Sequence, residues 1–118
     1  MKKIIFYSYL KCSTCRNAAK WLKSKDFEFQ LIDIVKEPPL VNYLNLALEQ
    51  YSDEKKRIFN TRGKAFKNLD LDINNLSKEE IIQLLLSDGK LIKRPFLIYE
   101  GEKVILGFNE IEYAKQII

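Results

Sequence analysis

The stretch KIIFYSYLKCSTCRNAAKWLK, residues 3–23, joins a strand pattern to a helix pattern through a segment that holds both cysteines of the chain. Residues 3–8 are β-branched and aromatic, which is typical of a short buried strand. From about Ser13 to Lys25 the small and apolar residues recur with helical spacing, beginning at Cys15. The stretch therefore predicts a βα unit with the C-x-x-C pair at its turn.

The segment after this unit predicts a second strand and then a long helical portion. Residues 27–34, FEFQLIDI, alternate in polarity and indicate a strand, which a right-handed crossover makes parallel to the first. Residues from about 38 to 89 are predicted to form a helical insert. In this insert Pro39 starts one helix, and Ser77 with Glu80 has the spacing of a capping box before another helix.

The last part of the chain returns to strands. PFLIYE, residues 95–100, and EKVILGF, residues 102–108, are separated by Gly101 and predict an antiparallel hairpin. A closing helix follows, with Asn109 as its N-cap. The order βαβ, helical insert, ββα predicts an α/β protein with a mixed four-stranded sheet, and the length predicts one domain over residues 1–118.

The composition argues against several functional classes. No apolar run approaches the roughly 20 residues that span a bilayer, and the N-terminal residues lack a signal-cleavage pattern, so we expect a cytosolic protein with no membrane association. The net charge of +4 comes from 20 basic and 16 acidic residues interleaved along the chain, which predicts a mixed surface and no direct nucleic-acid binding. Thiols are kept reduced in the cytosol, so a disulfide that forms there is more often chemical than structural.

Histidine is absent from the sequence. Its absence excludes Ser-His-Asp and Cys-His catalysis and most zinc sites, and two cysteines alone do not complete a four-ligand site. We therefore predict no metal and no bound cofactor. Cys12 and Cys15 remain as the candidates for chemistry.

The two cysteines are predicted to differ in role because they differ in position. Cys12 precedes the helix, where unpaired N–H groups and the positive end of the helix dipole favour an anion such as a thiolate, and Lys11 and Arg16 add positive charge nearby. Cys15 shares the inward face of the helix. We predict that Cys12 is the attacking nucleophile, Cys15 the resolving thiol and Arg16 a supporting residue for the thiolate. The alternative is that both cysteines are ordinary small buried residues.

A second candidate feature is the Arg94-Pro95 pair directly before the hairpin. An X-Pro bond is the type of peptide bond in which the cis form occurs, and the start of a strand tolerates proline. From the residues alone two interpretations stay open. The pair could shape the pocket of the cysteines, or it could be a surface arginine and a proline that begins a strand.

These motifs occur together in one known group of proteins. With C-x-x-C on the first βα turn, Arg94-Pro95 before the hairpin, NTRGKAF at residues 60–66 and LGFNE at residues 106–110, the chain resembles the ArsC/Spx family over nearly its whole length. The resemblance implies a thioredoxin-like fold with a helical insertion, and it implies that Pro95 is cis and lies beside the cysteine loop. It also implies an arsenate reductase-like thiol-disulfide oxidoreductase.

The resemblance assigns roles to arginines as well. Arg94 matches one of three arginines that surround the catalytic cysteine of arsenate reductases, which implies that it binds an anion and stabilises the Cys12 thiolate. The other two positions lack arginine: the insert has Asn60, with Arg62 as a supporting candidate two residues later, and the Gly107-Phe108-Asn109 stretch occupies the end of the hairpin. Because fewer guanidinium groups bind an oxyanion less tightly, we expect weak arsenate turnover at most.

The family resemblance also leaves a second function open. Spx-type regulators use C-x-x-C as a redox switch, bind the C-terminal domain of the RNA polymerase α subunit and share the Thr61-Arg62 pair. They keep a glycine in the helical insert, whereas residues 36–62 contain none here. As an oxidoreductase, the protein is expected to take electrons from glutathione, another small thiol or a thioredoxin. The sequence does not choose between these donors.

Overall fold

The computed structural model describes residues 2–118 and contains four strands and five α-helices in that range. In chain order they are β1 (Ile4–Ser8), α1 (Ser13–Ser24), β2 (Gln30–Asp33), α2 (Val41–Gln50), α3 (Lys64–Lys67), α4 (Lys78–Ser87), β3 (Phe96–Tyr99), β4 (Lys103–Leu106) and α5 (Glu110–Ile117). Between β2 and β3, short 3-10 turns lie at Lys55–Ile58, Ile73–Asn75 and Gly89–Leu91. No helix within residues 2–118 combines the length and the hydropathy that a bilayer crossing requires.

The four strands form one sheet with the order β2-β1-β3-β4. β1 is parallel to β2 and antiparallel to β3, and β3 pairs with β4 as a hairpin. The two parallel strands are joined through α1, as a parallel pair requires a crossover connection. The prediction of an α/β protein with a mixed four-stranded sheet is confirmed.

Strand β1 contributes to a hydrophobic core on each face of the sheet, because successive side chains of a strand point in opposite directions. Ile4 and Phe6 pack with residues of α1 and α5. Ile5 and Tyr7 pack with residues of the helical insert. The sheet therefore lies between α1 and α5 on one side and the insert on the other, and β1 leads directly into the cysteine loop.

The helical insert contacts the end of β2 closely at Gly89. This glycine is buried, and a Cβ at its position would overlap the carbonyl oxygen of Ile34 and lie 2.9 Å from the Cα of Val35. A short antiparallel bridge also joins Phe59 to Ile92. These contacts hold the segment that leads into Arg94 against the sheet.

The helix caps agree with the sequence prediction, whereas one helix start does not. Ser77 and Glu80 form a capping box at α4, and the side chain of Asn109 accepts the N–H of Glu112 at the start of α5. Helix α2 begins at Val41, so the prediction that Pro39 starts this helix is wrong. Leu40, which lies between Pro39 and Val41, has an extended conformation with ψ of 152° and is the N-cap of the helix.

Strand β2 is shorter than predicted. It covers Gln30–Asp33 of the predicted residues 27–34. Phe27 and Phe29 precede it and pack into the core beneath α1. The alternating polarity of residues 27–34 therefore has two causes: the aromatic side chains at its start pack into the core, and the residues at its end pair as a strand.

The predicted hairpin turns at Glu100 and Gly101, which have φ of 55° and 67°. The N–H of Glu102 donates to the carbonyl of Tyr99 at 3.1 Å and closes the turn. Positive φ at both central residues matches the right-handed twist of the flanking strands. This tight connection brings the end of β4 back beside the start of β3.

Candidate functional site

Cys12 is the N-cap of α1 and lies in the loop between β1 and α1. Its backbone is extended, with φ of −96° and ψ of 113°, and its N–H donates to the carbonyl of Tyr9 at 3.0 Å. Its Sγ accepts the N–H of Cys15 at 3.3 Å. The sulfur therefore takes one of the N–H groups that are left unpaired at the start of every helix. Cys12 is partly exposed, so this loop is open to a reactant.

Cys15 lies one turn further along α1 and is fully buried. Burial first, and a hydrogen bond to Cys12 second, raise the pKa of its thiol to about 11. The same thiol lies close to Ser8 and to the backbone of Tyr9, which partly offset the shift. The C-x-x-C pair thus consists of one accessible sulfur and one shielded, protonated thiol.

Arg94 lies against the cysteine loop through Tyr9. Its guanidinium carbon is 4.9 Å from the centre of the Tyr9 ring, within the range of a cation–π contact, and its Nη1 donates to the carbonyl of Lys90 at 3.3 Å. Tyr9 also accepts the N–H of Cys12 through its carbonyl. One tyrosine therefore joins the arginine before β3 to the cysteine after β1.

Pro95 is buried, and the Arg94-Pro95 peptide bond is cis. Its carbonyl accepts the N–H of Gly107 at 2.9 Å, and the carbonyl of Gly107 accepts the hydroxyl of Tyr113 at 3.0 Å. Gly107 has φ of 71°, a conformation that side chains disfavour. The proline, the end of the hairpin and α5 are thus held together at the start of β3.

The two supporting arginines of the sequence analysis have different positions. Arg16 is exposed, and its Nη1 donates to the carbonyl of Leu10 at 2.7 Å, so its side chain folds back over the cysteine loop. Arg62 is exposed and forms no hydrogen bond, ion pair or cation–π contact with the other residues in the range 2–118. The contacts thus connect Arg16 and Arg94 to the loop but do not connect Arg62 to it.

Tyr9 is the site residue that the sequence analysis missed. Residues 9–11, YLK, lie in the turn between the predicted strand and the predicted helix, and their pattern indicates no function for Tyr9. The signal in the sequence is an aromatic residue between a buried strand and a C-x-x-C pair. Its partner, Arg94, is distant along the chain, so the contact itself leaves no periodic pattern.

The described part of the chain offers no alternative metal centre. Within residues 2–118 no group of three or more cysteine, aspartate and glutamate side chains is arranged to hold a metal ion.

The mixed sheet, with a C-x-x-C pair at the start of α1 and a cis proline before β3, defines a thioredoxin-like α/β protein. The model of the ArsC family matches residues 7–116, and the chain belongs to this family.

Comparison with individual proteins agrees with this assignment. The chain is 41% identical to "Uncharacterized protein YusI" of Bacillus subtilis strain 168, with 95% of this chain and 96% of that protein covered. It is 33% identical to "Global transcriptional regulator Spx" of Lactiplantibacillus plantarum, with 95% and 84% covered. Its structure resembles the crystal structure of a possible arsenate reductase from Streptococcus mutans UA159, with 41% identity, a TM-score of 0.82 and coverage of 90% and 91%.

Proposed function

We propose that this protein is a thiol-disulfide oxidoreductase in which Cys12 attacks and Cys15 resolves. The observation that carries the proposal is the hydrogen bond from the Cys15 N–H to the Cys12 sulfur, 3.3 Å long, at the start of α1. The positive end of a helix and an N–H directed at the sulfur both interact favourably with negative charge, and the thiolate is the form of a cysteine that attacks a disulfide. The partial exposure of Cys12 supports its role as the first nucleophile.

The proposed reaction has two steps. The Cys12 thiolate attacks one sulfur of a substrate disulfide, the substrate S–S bond breaks, and the other half leaves as a thiolate. Cys15 then attacks the Cys12 sulfur of the mixed disulfide, releases the second half of the substrate, and leaves a Cys12–Cys15 disulfide. Two electrons pass from the protein to the substrate, and an external thiol must return them.

The environment of Cys15 suits the second step. In the reduced protein the charge of Cys12 and the hydrogen bond to it contribute to the raised pKa of Cys15. Once Cys12 is part of a mixed disulfide, its negative charge is absent, and that contribution to the pKa is lost. The resolving thiol then ionises more readily, at the stage of the reaction that requires its thiolate.

Arg94 is proposed to bind the anionic part of the reactant. Its guanidinium is oriented by the Tyr9 ring and the Lys90 carbonyl, and it carries further N–H donors that can bind an anion. Arg16 contributes positive charge over the loop. Asn60 in the insert and the Gly107-Phe108-Asn109 stretch at the end of the hairpin lack the arginines of arsenate reductases, so we propose a disulfide as the main substrate and at most slow arsenate reduction.

The electron donor is proposed to be a small thiol such as glutathione, or a thioredoxin-type protein, in a reducing cytosol. Because Cys12 is partly exposed, its sulfur in a Cys12–Cys15 disulfide is open to attack by such a thiol. No bound cofactor is required, because the thiol donor returns both electrons.

A second candidate function is a redox-sensing regulator that binds the RNA polymerase α subunit. It is favoured by the 33% identity to the Spx protein of Lactiplantibacillus plantarum over 84% of that protein. In that case the same Cys12–Cys15 pair would act as a switch, and turnover of a substrate would be unnecessary.

Turnover of a small disulfide with glutathione or thioredoxin and its reductase tests the first function. Cys12→Ser should abolish turnover while α1 remains capped, since serine is a good N-cap residue. Cys15→Ser should accumulate the mixed disulfide on Cys12, which mass spectrometry detects. Turnover that persists in Cys12→Ser would contradict the proposal. Binding to the isolated C-terminal domain of RNA polymerase α that changes on oxidation of the pair, without turnover, would favour the regulator.

A further inference from the structure

A basic cavity lies beside the hairpin, away from the residues assigned to thiol exchange. It has a volume of about 440 Å³ and is lined by Lys56, Arg57, Phe59, Thr61, Lys93 and Leu106. This volume falls in the range of small-molecule sites. Three of the six lining residues are cationic, one has a hydroxyl group, and none is acidic, so the lining is suited to an anion.

The cations of this cavity differ in whether they already have a partner. Arg57 forms an ion pair with Glu54 at 3.4 Å, and its guanidinium lies 4.8 Å from the centre of the Tyr51 ring. Among residues 2–118, neither Lys56 nor Lys93 forms an ion pair with a carboxylate. Two lysines beside a fixed arginine thus leave positive charge that a ligand can neutralise.

Lys93 reaches this position because the end of the hairpin lacks a side chain. A Cβ at Gly107 would lie 3.3 Å from the Cε of Lys93, so the lysine side chain passes over the glycine. The backbone N–H of Lys93 donates to the carbonyl of Ile58 at 2.8 Å, which fixes the start of that side chain beside the insert. Contacts with these two neighbouring segments therefore place Lys93 in the lining of the cavity.

The cavity and the cysteine loop lie at the same end of the sheet. Leu106 at the cavity pairs with Phe96, and Phe96 pairs with Tyr7 shortly before the cysteine loop. Strands β1 and β4 are separated by β3 alone, which places them about 10 Å apart at about 4.8 Å per strand. An extended tripeptide also spans about 10 Å. The cavity thus lies at the end of the sheet that carries the cysteine loop, and the strand spacing between them is comparable to the length of a small peptide thiol.

We infer that Lys56, Arg57 and Lys93 form a carboxylate-binding subsite that selects anionic low-molecular-weight thiols of tripeptide size as electron donors. The inference rests on the proposed thiol-disulfide function. The donor thiolate attacks the Cys12 sulfur of the Cys12–Cys15 disulfide, that bond breaks, and its electron pair leaves on Cys15, which takes a proton from water. A second donor thiolate attacks the donor sulfur of the mixed disulfide, forms the donor disulfide and releases the Cys12 thiolate.

The first experiment measures rate constants for reduction of the oxidised protein by glutathione, which carries two carboxylates, and by neutral 2-mercaptoethanol. The ratio of the two rate constants should fall about two- to fivefold in Lys93→Gln and in Lys56→Gln, because each removes one partly exposed ion pair with the donor. It should also fall with added salt. The matched control is Lys115→Gln, since Lys115 is exposed on α5 at the opposite face of the sheet. A ratio in both cavity variants equal to that of wild type would overturn the subsite.

The second experiment measures binding without redox chemistry. S-methylglutathione should bind reduced wild-type protein and shift the backbone NMR signals of Thr61 and Lys93, whereas its diethyl ester should not. Saturable binding of the ester with equal affinity, or no saturable binding of either compound, would overturn the subsite. Reduction by 2-mercaptoethanol tests the proposed function separately: if no Cys12–Cys15 disulfide forms or none is reduced, the exchange function fails whatever the binding result.

Discussion

At the scale of single residues, the two cysteines of the C-x-x-C pair differ most in their exposure to solvent. Cys12 is partly exposed at the cap of α1, whereas Cys15 is fully buried one turn later. Burial raises the pKa of the Cys15 thiol, whereas the Cys12 sulfur accepts the N–H of Cys15 at the start of the helix. This difference follows from the geometry of a helix N-terminus, where residues three apart have different surroundings.

The raised pKa of Cys15 predicts a pH dependence of stability. The unfolded chain loses this proton near pH 9 and the folded protein near pH 11, so between these values the folded state binds more protons. The free energy of unfolding should therefore fall as the pH rises through this window, by about 1–2 kcal/mol from this group. Urea unfolding of the reduced protein between pH 8 and pH 10.5 should show a steeper fall in wild type than in Cys15→Ala. Parallel curves would contradict the assignment.

The contact between Arg94 and Tyr9 predicts an energetic coupling across the site. Tyr9→Leu and Arg94→Ala each remove one partner of the cation–π contact at 4.9 Å. A double-mutant cycle of unfolding free energies should give a coupling of about 0.5–1 kcal/mol, the usual size for a partly exposed pair. The cycle Tyr9→Leu with Arg16→Ala serves as the control, because Arg16 contacts Leu10 instead. A coupling in the Arg94 cycle no larger than in the control would contradict a positioning role for Tyr9.

At the scale of elements, β4 is an edge strand whose outer side is partly closed by one side chain. At the end of α2, the side-chain Nε2 of Gln50 donates to the carbonyl of Val104 at 2.9 Å. The Oε1 of the same side chain accepts the backbone N–H of Val104 at 2.7 Å. This pairing reproduces the two hydrogen bonds of a neighbouring strand. It links the helical insert to the hairpin and blunts an edge that could otherwise pair with another chain.

Replacing Gln50 should weaken this link. Gln50→Leu removes both hydrogen bonds to the Val104 backbone, and we expect a loss of about 1–3 kcal/mol in the free energy of unfolding. Urea unfolding measures the loss, and amide hydrogen exchange of Val104 should become faster. Gln83→Leu on the exposed side of α4 is the matched control and should change stability little. Unchanged exchange at Val104 in Gln50→Leu would contradict the role of this amide.

At the scale of the whole molecule, the insert and the sheet are joined by a contact that only glycine allows. Gly89 begins the 3-10 turn after α4 and lies directly on the backbone of Ile34, the residue after β2. Since backbone cannot move aside as a flexible side chain can, any Cβ there must shift one element against the other. The placement of the segment before Arg94 depends on this approach.

Two glycine substitutions separate this packing effect from backbone strain. Gly89→Ala should destabilise the protein by about 2–4 kcal/mol, because its Cβ would overlap the Ile34 carbonyl. Gly101→Ala, in the hairpin turn with φ of 67° and nothing within 4 Å of its Cβ, should cost only about 1–2 kcal/mol from the left-handed backbone. Urea unfolding of both variants measures the difference. Equal losses would contradict a close packing role for Gly89.

The sequence by itself determined the features that depend on neighbours along the chain. The order of strands and helices, the position of Cys12 at a helix start, the Ser77–Glu80 capping box and the Asn109 cap all follow from local periodicity and local hydrogen bonds. These interactions involve residues within one turn or one strand of each other, so their pattern is visible in the letters. The ends of elements are predicted less well: β2 is shorter than predicted and α2 starts later, because packing and backbone conformation decide where an element begins and ends.

Only the tertiary structure decided which distant residues meet. Arg94 lies over Tyr9, Gln50 pairs with Val104 across 54 positions of sequence, and Lys93 joins Lys56 in one cavity. No periodic pattern or motif in the sequence indicates these contacts, because each depends on how the insert and the hairpin pack against the sheet. The burial that raises the pKa of Cys15 arises in the same way, from side chains contributed by several elements.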